Sequence, residues 1–230
     1  MKMSSKAEKV EIFVNTLNHS FIAITIFYLT WYCFHVGFTE LITFHVWLTT
    51  IGYQLLMAEG ILAMYKRNTL TLLADSKGKK TLIHWILQTS GGVLAIVGIV
   101  VQIISRFRLG KPHFSLIHSI IGLISFIFLI LSIISGCSAL YSIELKRYLK
   151  PIFSKFIHNL LAIIAFVTGI ISVIIAYDTK SWAKKHDPGN VRVLMMWLLA
   201  FIIIFTLIGP IKTLWNHLKT ITNIVKSRNK

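Results

Sequence analysis

Four histidines, His45, His84, His118 and His158, each stand at or near the start of a long apolar stretch. An ionisable side chain in a segment of that kind is costly unless it binds something, so such residues are read first as functional. His118 is the clearest case. It follows the approach Gly110-Lys-Pro-His-Phe-Ser-Leu-Ile and opens a segment that runs to Leu140, with no acidic or basic residue until Glu144. Imidazole at such positions can ligate a metal or relay a proton, and the spacing of the four has to choose between them.

The elements that carry these histidines follow from composition. Of 230 residues, 55% are hydrophobic, and the mean hydropathy is strongly positive, which excludes a soluble domain of ordinary composition. Six windows, near 19 to 38, 44 to 65, 82 to 104, 115 to 140, 152 to 177 and 193 to 214, reach the roughly 20 apolar residues a helix needs to cross hydrocarbon. The expectation is an all-α polytopic membrane protein. A polar segment 1–18 precedes a six-helix domain over 19–214, and a basic tail 215–230 follows. No small-residue cleavage site follows the first apolar run, which therefore reads as a retained signal anchor. Cys33 and Cys137 both lie inside apolar windows, so no disulfide framework is suggested and both read as small core residues.

A formal net charge of +16 would suit a phosphate backbone or a membrane surface. Its distribution selects the second. With six spans the N-terminus, the second and fourth loops and the C-terminus share one side, where they hold three, five, four and five of the 24 Lys and Arg; the other side holds seven. Positive charge is retained in the cytoplasm, so both termini are expected there, in an endomembrane or the plasma membrane, beside anionic lipid and with no nucleic-acid partner.

Successive helices run in opposite directions, so His45 and His118 fall at the outer face and His84 and His158 at the inner face. Separations of 73 and 74 positions follow from that alternation. In an antiparallel bundle, helices two and four are diagonal partners, as are three and five, and bundles build cofactor sites from side chains on facing helices. Two imidazoles at one depth suit haem iron, which takes axial ligands from both faces and is then committed to electron transfer. Zinc takes four ligands, or three and a water, and neither pair has an accompanying cysteine or carboxylate. A proton relay does not require histidines paired at two levels. The rival reading is a haem-free transporter passing protons or metal through the histidines and Glu59; transporters usually show repeats or broken helices, and helices two to five show neither. A scaffold without chemistry would leave all four histidines replaceable.

Glu59 lies 14 residues beyond His45, about 21 Å deeper in a helix, and is expected to make a structural hydrogen bond near the inner interface. His19 and His35 mark the two ends of the first window and are expected to be solvated. Gly91, Gly92 and Gly98 permit either close helix approach or a flat ligand, and Gly122, one turn after His118, leaves room beside its imidazole.

The words Leu56-Met-Ala-Glu-Gly-Ile-Leu, His84-Trp-Ile-Leu-Gln and Leu116-Ile-His-Ser-Ile-Ile-Gly-Leu, with His158 in the fifth helix, resemble those of the cytochrome b561 family of six-helix transmembrane haem proteins, most closely its small, domain-type members. The resemblance covers about residues 40 to 180. It implies two haem b groups, with His45 and His118 holding the outer one and His84 and His158 the inner one. Electrons would pass from a cytoplasmic donor, ascorbate in the family, through both haems to an acceptor such as ferric chelate or monodehydroascorbate; the activity implied is that of a reductase. A homodimer is compatible with this reading. Many members leave helix two through a Leu-Leu-Val-Tyr-Arg-like text linked to ascorbate, where this chain reads Leu62-Ala-Met-Tyr-Lys-Arg.

Two basic groups flank the histidines. Lys79 and Lys80 lie about one turn before His84, and Lys150 and Lys155 precede His158; they read either as topology signals that hold this side in the cytoplasm or, by their convergence on the two inner histidines, as a funnel suited to an anionic donor such as ascorbate. On the outer side Lys111 and His113, with Arg106 and Arg108, form a basic cluster that is either ordinary solvated loop charge or a site suited to an anionic ferric chelate.

Overall fold

Each apolar window is a helix in the computed structural model, which describes residues 6–65, 68, 76–178 and 190–228. The helices are α1 (Lys6–Val36), α2 (Leu41–Leu62), α3 (Lys77–Arg108), α4 (Ile117–Leu140), α5 (Pro151–Asp178) and α6 (Val191–Arg228). No strand occurs among the described residues. A helix satisfies its backbone N–H and C=O groups internally, which is why apolar runs of this length adopt it in lipid. The all-α, six-span architecture is the one expected. The Lys66 and Arg67 exit, the Asp75 end of the second loop, and the last loop with Trp182 and the run 184–189 lie outside the described residues.

Local chemistry fixes the helix ends. Ser76 Oγ accepts the Lys79 N–H at 3.2 Å and starts α3. Leu116 N–H donates to Ser119 Oγ at 3.1 Å, and that hydroxyl donates back to Leu116 O at 2.7 Å, starting α4. Pro151 opens α5, where its missing N–H has no partner to lose. Between α3 and α4 the chain turns through Gly110 at φ 60°, a conformation glycine adopts without steric cost, and Arg106 Nε pins the turn by donating to Pro112 O at 2.8 Å.

α2 and α3 are pressed together at glycines. A Cβ on Gly52 would stand 2.7 Å from Gly91 O, and one on Gly98 would stand 2.9 Å from Thr49 Cγ2. Gly91 and Gly98 are therefore packing glycines, while Gly92 faces Ile133 of α4. α4 lies along α5, α5 along α6 and α6 along α1, whereas α3 and α4 touch only sparsely. The helices around the histidines thus form two pairs, α2 with α3 and α4 with α5.

Tyr53 joins the pairs at mid-depth. It is 4% exposed, its hydroxyl is hydrogen-bonded to Ser125 at 2.8 Å, and Ser125 donates on to Ala165 O at 2.8 Å. A Cβ on Gly169 would run into the Tyr53 ring and stand 2.9 Å from Ser125 Oγ. This joint lies in a π-helical stretch of α2, Thr50–Met57, in which Gly52, Tyr53 and Gln54 are all buried. The wider π turn aims consecutive side chains at different neighbours, and Gln88 Nε2 donates to Met57 O at 2.9 Å where the turn ends.

Two expectations, on Cys137 and His19, are corrected. Helices α1 and α6 run past their hydropathy windows, to Lys6 and Arg228. Their polar continuations stay helical because they pack on neighbours: Asn18 Nδ2 donates to Thr206 Oγ1 at 2.9 Å, and Leu214, His217, Ile221 and Ile224 form a half-buried stripe. Cys33 is a core residue, but Cys137 lies on the exposed face of α4. His19 is not solvated. It sits well inside α1, 12% exposed, with Nδ1 2.8 Å from Glu59 Oε1 and Nε2 3.0 Å from Asn68 Oδ1. Glu59 thereby has the structural partner expected of it. His35 is exposed and stacks on Trp31.

Candidate functional site

The alternation of six helices brings the four histidines together as two pairs. The His45 and His118 ring centres are 6.3 Å apart at 76°, and those of His84 and His158 are 6.4 Å apart at 86°. His84 and His158 lie at the end of the bundle where α1 begins and α6 ends, here the terminal side; His45 and His118 lie at the far side. Along α4 the two levels are separated by the chain from His118 to Ser132, on the order of 20 Å of helix.

Each imidazole is held by one nitrogen. His45 Nδ1 donates to Gly98 O at 2.9 Å, His84 Nδ1 to Gly60 O at 2.7 Å, His118 Nδ1 to Ser172 O at 2.8 Å and His158 Nδ1 to Ser132 O at 3.1 Å. A carbonyl only accepts, so Nδ1 carries the proton and the lone pair is left on Nε2. That is the arrangement a metal-ligating histidine adopts, with the second nitrogen fixing ring orientation. A glycine makes room at one ring, where a Cβ on Gly136 would stand 3.1 Å from His158 Cε1, while Gly60, whose carbonyl holds His84, is packed against Gln88, whose Nε2 would stand 2.9 Å from a Cβ there.

Haem fits these residues. A metal–imidazole bond of about 2.0 Å, with about 1.1 Å from ring nitrogen to ring centre, places two axial imidazoles of one iron about 6.3 Å apart. Both observed separations match. Among the described residues no group of three or more His, Cys, Asp or Glu is placed to hold a metal, so each pair has the donor set of an axially ligated haem and lacks that of a zinc site.

The basic residues divide. Lys79, Lys150 and Lys155 are exposed at the terminal side, but Lys80 Nζ donates to Tyr65 O at 2.6 Å and ties the exit of α2 to α3. Tyr65 is itself docked on α6: its hydroxyl donates to Thr206 O at 2.9 Å and accepts from Gly209 N–H. On the far side Lys111, His113 and Arg108 are exposed, while Arg106 is engaged by the turn it pins.

Composition and spacing gave no sign of the four carbonyl partners, of the Ser172 side chain, or of the Asn68 contact to His19. Glycine at positions 60 and 98 is the one trace a sequence could offer, because a side chain there would collide with the neighbouring helix.

A family model described as eukaryotic cytochrome b561 matches residues 44–184. The transmembrane reductase CYB561D2 of Bos taurus is 25% identical over 163 residues, 70% of this chain and 69% of that protein. Those of Mus musculus and Homo sapiens are each 25% identical over 138 residues, 60% of this chain and 61% of theirs. No solved structure matches the chain significantly.

Proposed function

Because the chain belongs to the eukaryotic cytochrome b561 family, whose model spans more than half of it, we propose that it is a di-haem reductase carrying electrons across a membrane from ascorbate to ferric chelate or monodehydroascorbate. The observation that carries this reading is the pair of imidazole pairs, 6.3 and 6.4 Å between ring centres, with every Nδ1 tied to a carbonyl. His84 and His158 would hold a haem b on the terminal side, and His45 and His118 a second on the far side. Held by the two imidazoles of each pair, such a haem would supply one-electron chemistry.

The rest of the chain positions and steers. The carbonyls of Gly60, Gly98, Ser132 and Ser172 keep each imidazole in its ligating tautomer. We place both termini in the cytoplasm, where Lys79, Lys150 and Lys155 are exposed on the same side of the bundle as the terminal-side pair. Ascorbate is an anion, and a basic rim raises its local concentration. Lys80 stays with Tyr65 and contributes charge rather than contact. On the far side Lys111 and His113 are free to meet an anionic acceptor.

The test is a reduced-minus-oxidised visible spectrum of the purified protein with a haem count per chain. Two haems are expected, and His118→Ala should remove one and keep the other. Loss of both haems from every single histidine variant would dismantle the pairing, and a wild-type protein with no haem band would refute the proposal.

A further inference from the structure

Resting on the haem reading, we infer that the Ser172 hydroxyl is a second acceptor for the His118 Nδ1–H, a positioning residue that lowers the reduction potential of the far-side haem selectively. His118 Nδ1 lies 2.8 Å from Ser172 O and 3.0 Å from Ser172 Oγ. The carbonyl can only accept, so Nδ1 bears hydrogen. The hydroxyl facing that N–H must therefore accept as well, and its own proton goes to the His118 carbonyl, 3.0 Å away. Each residue thus donates to the other, and the proton positions follow from the geometry.

The other three histidines lack this arrangement. His45, His84 and His158 each place Nδ1 against one backbone carbonyl, with no side-chain hydroxyl beside it among the described residues. Gly122 makes the exception possible. A Cβ there would stand 3.2 Å from Ser172 Oγ, so the space beside His118 that the sequence suggests is reserved for the ring is occupied by the hydroxyl. At the terminal side the comparable glycine, Gly136, faces the His158 ring directly.

An N–H shared by two acceptors is more polarised than one held by a single carbonyl. Electron density moves through the ring to Nε2, which then stabilises the more highly charged ferric iron. The His45 and His118 site is so biased toward giving its electron onward, and the His84 and His158 site, on the order of 20 Å away along the helix, is not.

The experiment is a spectroelectrochemical titration of the haem-loaded protein that resolves both midpoints, with haem content as the control. Ser172→Ala keeps the carbonyl and removes the hydroxyl. The far-side midpoint should rise by an amount equivalent to as much as about a tenfold change in the reduced-to-oxidised ratio, about 59 mV for one electron, with the terminal-side midpoint unmoved. Ser172→Thr, which restores the hydroxyl, should bring it back. An unchanged far-side midpoint, a fall, an equal shift of both haems or a failed rescue would overturn the inference while the haem reading stood. Absence of haem from the wild type would remove both.

Discussion

Gly169→Ala is expected to loosen both histidine pairs, and with them the haems proposed there, because it strikes the joint between the two helix pairs. The added methyl would enter the Tyr53 ring and come within 2.9 Å of Ser125 Oγ. Tyr53 is enclosed and hydrogen-bonded to Ser125, and Ser125 is held by Ala165 O, so the ring cannot swing aside without breaking that chain. Overpacking of this kind costs about 1–3 kcal/mol. Tyr53→Phe keeps the ring, and Ser125 keeps its bond to Ala165, so that variant should lose only about 0.5–1.5 kcal/mol. Removing the ring relieves the collision: Gly169→Ala with Tyr53→Leu should cost less than the two single changes added, with a coupling of about 0.5–3 kcal/mol. His45 and His118 stand on α2 and α4, and His84 and His158 on α3 and α5, so each pair straddles the divide that Tyr53 bridges. The assay is thermal unfolding of the haem-loaded protein followed by haem absorbance, with haem stoichiometry after purification. Unchanged stability, strict additivity in the cycle, or loss confined to one haem would refute the joint.

Other outcomes follow from single contacts. His19→Ala and Glu59→Ala should each cost about 1–3 kcal/mol, since each leaves a largely buried polar partner unsatisfied, and the double variant should cost less than their sum; additive melting shifts would mean the 2.8 Å contact contributes nothing. Lys80→Ala should destabilise by about 1.5–3 kcal/mol, the range for a hydrogen bond made by a charged group, through loss of the Tyr65 carbonyl bond. Lys79→Ala should leave melting unchanged and slow haem reduction at low ascorbate, in a way that fades as salt shortens the screening length from about 8 Å to about 3 Å. Identical stopped-flow traces for Lys79→Ala and wild type at low salt would remove Lys79 from the donor path.

The histidine pairing is legible in the sequence because it needs only topology. Antiparallel alternation sets depth, and depth sorts His45 with His118 and His84 with His158 before any side chain is placed. Helix extent is less legible, because hydropathy reports where lipid begins and ends while packing decides where the helix does. His19 stood at the edge of an apolar window and so read as interfacial, yet α1 continues to Lys6 and puts that ring against Glu59. Tyr53 carries no local sign of its role as a joint, since nothing in Thr50–Met57 announces a π turn. The partners of the four imidazoles are hidden for a deeper reason: every residue carries a carbonyl, so which one meets a ring depends on the relative rotation of two helices, a quantity no local pattern records. A serine in an apolar helix has the same silence, being read as a small packing residue. Ser172 differs from Ser132 in where its hydroxyl falls, on the imidazole it already serves through its backbone, and under the di-haem proposal that difference is what would set the potentials of the two sites apart.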